Sequence, residues 1–208
     1  KASQDFMLVP MTSNLMPSAG NLLYLFRVTL PNGSGYKKGS LDTKTLQCIQ
    51  QPWKSVFHSC FSQTHDVPVI HIHVRDDEGK NTMETERFCY VVNLVREELA
   101  KANLDAVLNL TSSGSKFSED MRLAHLPILK PEMCSYDPGS MNWANSYIFA
   151  NSPSFLERLG TLCQKEAIKP ECEVFDGGMM GNIAYYMKKG FLATPIHYQF
   201  VLGVSGGM

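Results

Sequence analysis

VIHIHVRD, at residues 69–76, has the pattern of a buried β-strand with two functional side chains. Successive side chains of a strand point to opposite faces, so His71 and His73 share one face, while Ile70 and Ile72 share the other. Two imidazoles on one face can bind one metal ion, most often zinc. The alternative is a pair of polar residues facing solvent. The apolar flanks favour a strand buried on both faces instead, where an unpartnered polar group costs about 2–7 kcal/mol.

Length and composition predict a single globular domain. The chain has 208 residues, of which 44% are hydrophobic and 19% are charged, and its net charge is −1. This charge gives no field that would attract nucleic acid, and no stretch approaches the roughly 20 apolar residues that a membrane-spanning helix needs. The 6 cysteines are scattered without a C-x-x-C pair. They are typical of buried thiols in a reducing compartment, and we expect a cytoplasmic protein.

Strand and helix patterns alternate from residue 67 onward. Strands are predicted at 67–74, 105–110, 128–135, 169–175 and 197–203. Helices are predicted at about 83–101 with a cap at Asn81 and Glu84, at 118–125, after Ser152-Pro153, and at 177–189 after Asp176. An earlier strand is predicted within Leu22–Leu30. This alternation indicates a parallel α/β sheet, and the polar residues gather where strands end, as in a (β/α)8 barrel.

Five motifs in the second part of the chain identify a family. The chain resembles the β-keto acid cleavage enzymes, whose namesake acts on 3-keto-5-aminohexanoate in lysine fermentation, a branch of amino acid degradation. The resemblance covers about 67–208 and leaves 1–66 as an atypical N-terminal part of the same domain. The motifs are HIHVRD at 71–76, NLTSSG at 109–114, KPEMCSYDPGSMNW at 130–143, ECEVFDGGM at 171–179 and QFVLGVSGGM at 199–208.

The resemblance implies a TIM barrel that uses zinc and takes acetyl-CoA as co-substrate. Such enzymes transfer an acyl unit from a β-keto acid and release acetoacetate and a new CoA ester. By motif, His71 and His73 match two zinc ligands. Thr111 and Ser135 match hydroxyl residues of the site that would steady developing negative charge. Their alternative role is structural, because such hydroxyls also bind loop backbone.

Further positions match the substrate and co-substrate contacts of the family. Gly114 and Asp137 match positions close to the keto acid, and Glu173 matches a carboxylate that faces the variable end of the substrate. Glu173 lies in a strand predicted to be buried, where a carboxylate needs a partner. The last loop resembles the glycine-rich loop near CoA, and its alternative is a simple turn. Its matching residues are Gly203, Gly206 and Gly207.

The chain departs from the family pattern at its ends. It covers about strands 2–6 of the barrel, with strand 1 uncertain, and it stops at Met208 before the seventh and eighth strands that carry the third zinc ligand and the catalytic acid in the family. We therefore expect the 208 residues alone to be a poor enzyme, and, by resemblance, a homo-oligomer. Two other functions stay open: another metal-dependent barrel hydrolase or aldolase, and a truncated, non-catalytic relative that binds a partner.

Overall fold

A computed structural model describes residues 7–10, 26–29, 69–76 and 80–208. The strands are β1 (Met7–Pro10), β2 (Phe26–Thr29), β3 (Val69–His73), β4 (Val107–Leu110), β5 (Met133–Tyr136), β6 (Met141–Trp143), β7 (Tyr147–Phe149), β8 (Lys169–Val174) and β9 (His197–Leu202). The helices are α1 (Thr85–Ala102), α2 (Glu119–Ala124), α3 (Leu126–Leu129), α4 (Pro153–Glu166) and α5 (Gly177–Lys188). Most of the atypical part, 1–66, lies outside the described residues.

Capping residues explain where the later helices begin. The Ser152 hydroxyl accepts a hydrogen bond from the Phe155 amide at 3.1 Å, and Pro153 occupies the first turn of α4. The Asp176 carboxylate accepts from the Met179 amide at 3.1 Å in the same way at the start of α5. A left-handed Gly190, with φ of 82°, follows the end of α5. These predicted boundaries are confirmed.

Within the described residues, seven parallel strands form one sheet in the order β1-β9-β8-β5-β4-β3-β2. From β2 to β9 the strands follow one another as they do in a barrel, and β1 pairs with β9 at the opposite edge from β2. Helices α1 and α4 cover one face with buried side chains. The chain is therefore α/β, with a parallel sheet of the partial TIM-barrel type.

The sheet curls strongly about its inner face. Strands lie about 4.8 Å apart, so β3 and β8, which are three positions apart in the sheet, would be separated by about 14 Å in a flat sheet. Yet Nδ1 of His71 on β3 lies 3.2 Å from Oε2 of Glu171 on β8. The curvature brings side chains from distant strands into contact, and it creates the site described below.

Two predicted elements differ from the structure. The predicted strand 128–135 begins with helix α3, in which Ile128 is exposed, and only Met133–Tyr136 pairs in the sheet. An apolar run can be either helix or strand, and here the exposed Ile128 shows that the run is not a buried strand. The predicted cap at Asn81 and Glu84 is also wrong, because the Glu84 side chain makes no capping bond and the Glu84 amide instead donates to Thr82 Oγ1 at 3.2 Å.

An antiparallel hairpin, β6–β7, follows β5 and was not predicted. Met141 pairs with Phe149, and the rings of Trp143 and Phe149 pack edge-on against Phe175, with centroids 5.7 Å and 6.3 Å from it. The hairpin thus forms a wall beside the ends of β5 and β8. None of the described helices is long and apolar enough to cross a membrane.

Candidate active site

The two histidines of β3 lie side by side on the inner face. Their Nε2 atoms are 3.1 Å apart, and the rings stack with centroids 4.9 Å apart at an angle of 19°. His71 is buried and His73 is half-buried. The i, i+2 spacing predicts this shared face, and the structure agrees. The two nitrogens therefore either share a proton or point together at a bound cation.

Glu171 and Glu173 of β8 face the same interior. Both are buried, and together with His71 they offer ligand atoms that lie within 4.8 Å of one another. The sequence analysis named Glu173 and missed Glu171. A signal for Glu171 was present, since the two carboxylates have the i, i+2 spacing of residues on one strand face.

Glu171 is held in its ionised form by its neighbours. Burial acts to raise the pKa of this carboxyl, but His197 and His71 outweigh it and lower the pKa to about 2. The nitrogen of His197 lies 3.6 Å from the carboxylate, too far for a hydrogen bond, so its effect is electrostatic. Asn109 also donates an N–H from β4. The inner face thus carries one fixed negative charge beside the histidines.

Two hydroxyl residues join the ends of β4 and β5. The Ser112 amide donates to Ser135 Oγ at 2.8 Å, and Ser112 Oγ donates to the Ser135 carbonyl at the same distance. Thr111 Oγ1 accepts from the Ser113 amide at 3.0 Å. The two predicted hydroxyl residues, Thr111 and Ser135, are both buried, and each makes a hydrogen bond with the loop after β4. The Ser135 hydroxyl oxygen already accepts a hydrogen bond from the Ser112 amide, and the hydroxyl proton can be donated to a ligand.

Asp137 lies just past β5 and is almost completely buried. Ser113 Oγ donates to its Oδ2 at 2.6 Å, and Oδ1 has no hydrogen-bond partner among the described residues. Burial raises the pKa of Asp137, and the hydrogen bond from Ser113 and the charge of Arg122 act in the opposite direction.

A predicted substrate contact, Gly114, lies in the neighbouring loop, where an added Cβ would come within 2.9 Å of the Met83 side chain. Gly114 is therefore also needed for packing.

A buried arginine, which the sequence analysis missed, ties these loops together. Arg122 donates to the Ser112 carbonyl at 2.7 Å, the Ala150 carbonyl at 3.0 Å and Asn151 Oδ1 at 2.6 Å. Its guanidinium lies 3.8 Å from the centroid of the Phe155 ring. Asn151 in turn donates to the Gly139 carbonyl at 3.0 Å. Arg122 thus links the loop after β4 to the loop after β5.

The glycine-rich loop lies against the hairpin. The Ala144 amide donates to the Ser205 carbonyl at 2.7 Å, and a Cβ at Gly206 would overlap the Asn142 carbonyl oxygen. Gly206 also has a φ of 90°, which other residues rarely adopt. At Gly207, a Cβ would lie 2.8 Å from the Phe175 carbonyl oxygen. Packing alone therefore requires glycine at positions 206 and 207.

The predicted residues fall into three groups at the ends of the strands. His71, His73 and Glu173 meet on the inner face. Thr111, Gly114 and Asp137 lie in the loops after β4 and β5, and Ser135 lies near the end of β5, where it bonds to Ser112. The third group, 203–208, follows β9 and lies against the hairpin. The described contacts do not join this last group to the histidines.

The chain is similar to known proteins along the same stretch that carries the motifs. A family model described as beta-keto acid cleavage enzyme matches residues 67–208. The 3-keto-5-aminohexanoate cleavage enzyme of Acetoanaerobium sticklandii is 38% identical over 140 residues, which are 67% of this chain and 50% of that protein. The 3-oxoadipate:acetyl-CoA acetyltransferase of Cupriavidus necator is 27% identical over 140 residues, which are 67% of this chain and 47% of that protein.

A solved structure supports the fold. The apo structure of ObcA matches with a TM-score of 0.60 and 20% identity, over 73% of this chain and 35% of that one. At this identity the similarity concerns the fold alone. The chain spans about half the length of the curated relatives it matches.

Proposed function

Because the chain belongs to the β-keto acid cleavage enzyme family, we propose that it contributes the zinc and substrate site of an acetyl-CoA-dependent β-keto acid cleavage enzyme. The observation that carries the proposal is the pair of Nε2 atoms 3.1 Å apart on His71 and His73, within the stretch that matches the family. A 3-keto-5-aminohexanoate-like substrate is our first candidate, since a relative of that name is 38% identical.

The donor set fits a zinc ion. Zinc binds histidine nitrogens at about 2.0–2.1 Å, so two nitrogens 3.1 Å apart can reach one ion. The other ring nitrogen of His71 faces Glu171 at 3.2 Å, which is the usual arrangement behind a zinc-bound histidine. When bound, zinc would act as a Lewis acid on the keto and carboxylate oxygens of the substrate. His71 and His73 would hold it.

The loops after β4 and β5 would bind and orient the β-keto acid. We propose that Thr111 and Ser135 offer hydroxyl protons to oxygens on which negative charge develops. Asp137 has one carboxylate oxygen without a partner among the described residues, which would accept a hydrogen bond from the substrate. Gly114 would let its loop approach the substrate closely. Burial of this region supports the proposal, because buried hydrogen bonds are stronger in a low-dielectric site.

Glu173 would set the specificity for the variable end of the substrate. Its buried carboxylate lies on the same strand face as Glu171 and favours a cationic or hydrogen-bond-donating group, such as the amine of an amino-substituted keto acid. The acetyl-CoA would approach along the loop that contains Gly203, Gly206 and Gly207. The support is the family motif and the acetyl-CoA in the name of the Cupriavidus necator relative.

The remaining proposals concern the whole protein. We propose that 1–208 belong to one TIM-barrel domain with a distinct N-terminal part, and that the protein is a cytoplasmic homo-oligomer. The four described cysteines are free thiols, which supports a reducing compartment.

Two measurements test the proposed function. The gene product that contains this chain is incubated with zinc, acetyl-CoA and a panel of β-keto acids, and acetoacetate is followed. We expect acetoacetate from at least one acid, and we expect its loss in His71→Ala and His73→Ala. Zinc stoichiometry of the 208-residue chain is measured in parallel. Absence of turnover with every acid, together with zinc retention that is unchanged in both variants, would contradict the proposal.

A further inference from the structure

Polar side chains from several strands converge on the Glu171 carboxylate. It is fully buried in β8, and its Oε2 faces His71 Nδ1 at 3.2 Å and accepts from Asn109 Nδ2. Gln199 lies on β9. With its amide nitrogen placed on the side of Glu171, it donates an N–H to the Glu171 carboxylate. His197 lies 3.6 Å from Oε1. One carboxylate therefore receives donors from three other strands of the sheet.

This arrangement determines where the proton of His71 lies. Asn109 and Gln199 both direct N–H donors at the Glu171 carboxylate, so its oxygens act as hydrogen-bond acceptors, and a neutral imidazole carries one N–H. The contact between His71 Nδ1 and Glu171 Oε2 therefore requires the proton on Nδ1. The lone pair then lies on Nε2, the atom that faces His73 Nε2 at 3.1 Å.

We infer that Glu171 is a positioning residue that fixes the tautomer and ring orientation of His71, so that Nε2 of His71 can bind a divalent cation together with His73. The inference rests on the proposed function for the presence of zinc, and it gives Glu171 a role that the motifs in the sequence did not assign. Glu171 acts through His71 and does not itself contact the cation.

A competing arrangement makes Glu171 a ligand, together with Glu173 and His71, whose ligand atoms lie within 4.8 Å of one another. The hydrogen bonds argue against it. Asn109 and Gln199 direct N–H donors at the Glu171 oxygens, and His71 occupies Oε2 as well. A cation would have to displace these donors and leave buried N–H groups without partners, which is unfavourable.

The first test needs no metal. Long-range ¹⁵N–¹H NMR spectra of the zinc-free 208-residue chain report which nitrogen of His71 is protonated, with the His71 signals assigned by their loss in His71→Gln. We expect the Nδ1–H form in the wild type and in Glu173→Gln, which is the matched carboxylate control on the same strand face. We expect Glu171→Ala to shift His71 to the Nε2–H form and Glu171→Gln to retain part of the Nδ1–H form. An unchanged tautomer in Glu171→Ala would overturn the inference.

The second test uses zinc, in competition with a chelating dye. We expect Glu171→Ala to weaken zinc binding about 10–100-fold, the usual effect of removing a partner of a metal-binding histidine. Glu171→Gln should weaken it less, because the amide oxygen can still accept from Nδ1. If Glu171→Ala does not fold, Glu171→Gln is compared with Glu173→Gln. A larger loss in Glu173→Gln, with a changed absorption spectrum of the Co²⁺-loaded protein in both variants, would overturn the inference in favour of carboxylate ligands.

The two proposals fail in different ways. A wild-type chain that binds no zinc but shows the tautomer shift in Glu171→Ala supports the positioning role and contradicts the zinc part of the proposed function. A chain that binds zinc equally well with and without the Glu171 carboxylate contradicts the positioning role and leaves the proposed function in place.

Discussion

The inner and outer faces of the same strands have opposite chemistry. On β3, Ile70 and Ile72 are fully buried in the apolar core under the helices, whereas His71 and His73 face the concave interior. On β8, Cys172 belongs to the core and Glu171 to the interior. The outer face obtains its stability from apolar area removed from water, and the inner face depends on polar groups that satisfy one another. The outer face therefore carries the fold, and the inner face carries the candidate site.

The largest expected effect is on the outer face. Ile72→Ala removes a fully buried side chain and should lower the free energy of unfolding by about 2–5 kcal/mol. Ile128→Ala is the control, because Ile128 is 63% exposed and its loss should change stability by less than about 0.5 kcal/mol. Urea denaturation followed by circular dichroism measures both. Equal effects of the two substitutions would show that the outer face is not the main source of stability.

The next effect concerns the loops at the rim of the inner face. Arg122→Met keeps an apolar stem but removes three hydrogen bonds, and it should lower the free energy of unfolding by about 2–3 kcal/mol. Arg158→Met removes exposed ion pairs with Glu119 and Asp120 and should cost much less, because exposed ion pairs contribute little to stability. If Arg158→Met costs as much as Arg122→Met in the same urea assay, burial is not what makes Arg122 important.

A pH measurement tests how a buried histidine affects stability. His125 is fully buried against the Phe88 ring, and burial lowers the pKa of His125 from 6.5 to about 3. Below pH 6.5 His125 therefore binds a proton in the unfolded chain, whereas in the folded chain it stays neutral down to about pH 3. The free energy of unfolding therefore falls as the pH is lowered from 6.5 to 3. Between pH 7 and pH 5 the loss from this group is about 2 kcal/mol.

His125→Leu should remove that part of the pH dependence, as measured by urea denaturation at pH 7 and pH 5. The comparison is the difference between wild type and variant, so that other titrating groups cancel. A variant that loses as much stability on acidification as the wild type would show that His125 is already charged, or accessible to water, in the folded protein.

The smallest effect on stability is expected at the proposed metal site. His73→Ala, at a half-buried position, should change the zinc-free stability by less than about 1 kcal/mol. Zinc at 100 times its Kd should stabilise the wild type by about 2.7 kcal/mol and should not stabilise the variant. Thermal melting with and without zinc measures both. A large zinc-free loss in His73→Ala would mean that the inner face also carries the fold.

Local patterns predicted the elements that have strong local signals. The strand with His71, the capped helices that begin after Ser152 and Asp176, and the stripe of α1 are confirmed. The predicted strand 128–135 wrongly included the last two residues of the helix Leu126–Leu129, because a short apolar run has no periodicity that distinguishes helix from strand. The β6–β7 hairpin was missed because each of its strands has only three residues.

The sequence by itself determined that His71 and His73 share a face and that polar residues end each strand, because both follow from the two-residue repeat of a strand and the direction of a parallel sheet. The tertiary structure alone decided that Glu171 lies behind His71, 100 residues away along the chain. That contact depends on how strongly the sheet curls and on its register. Both are properties of the assembled sheet, and no short stretch of sequence encodes them.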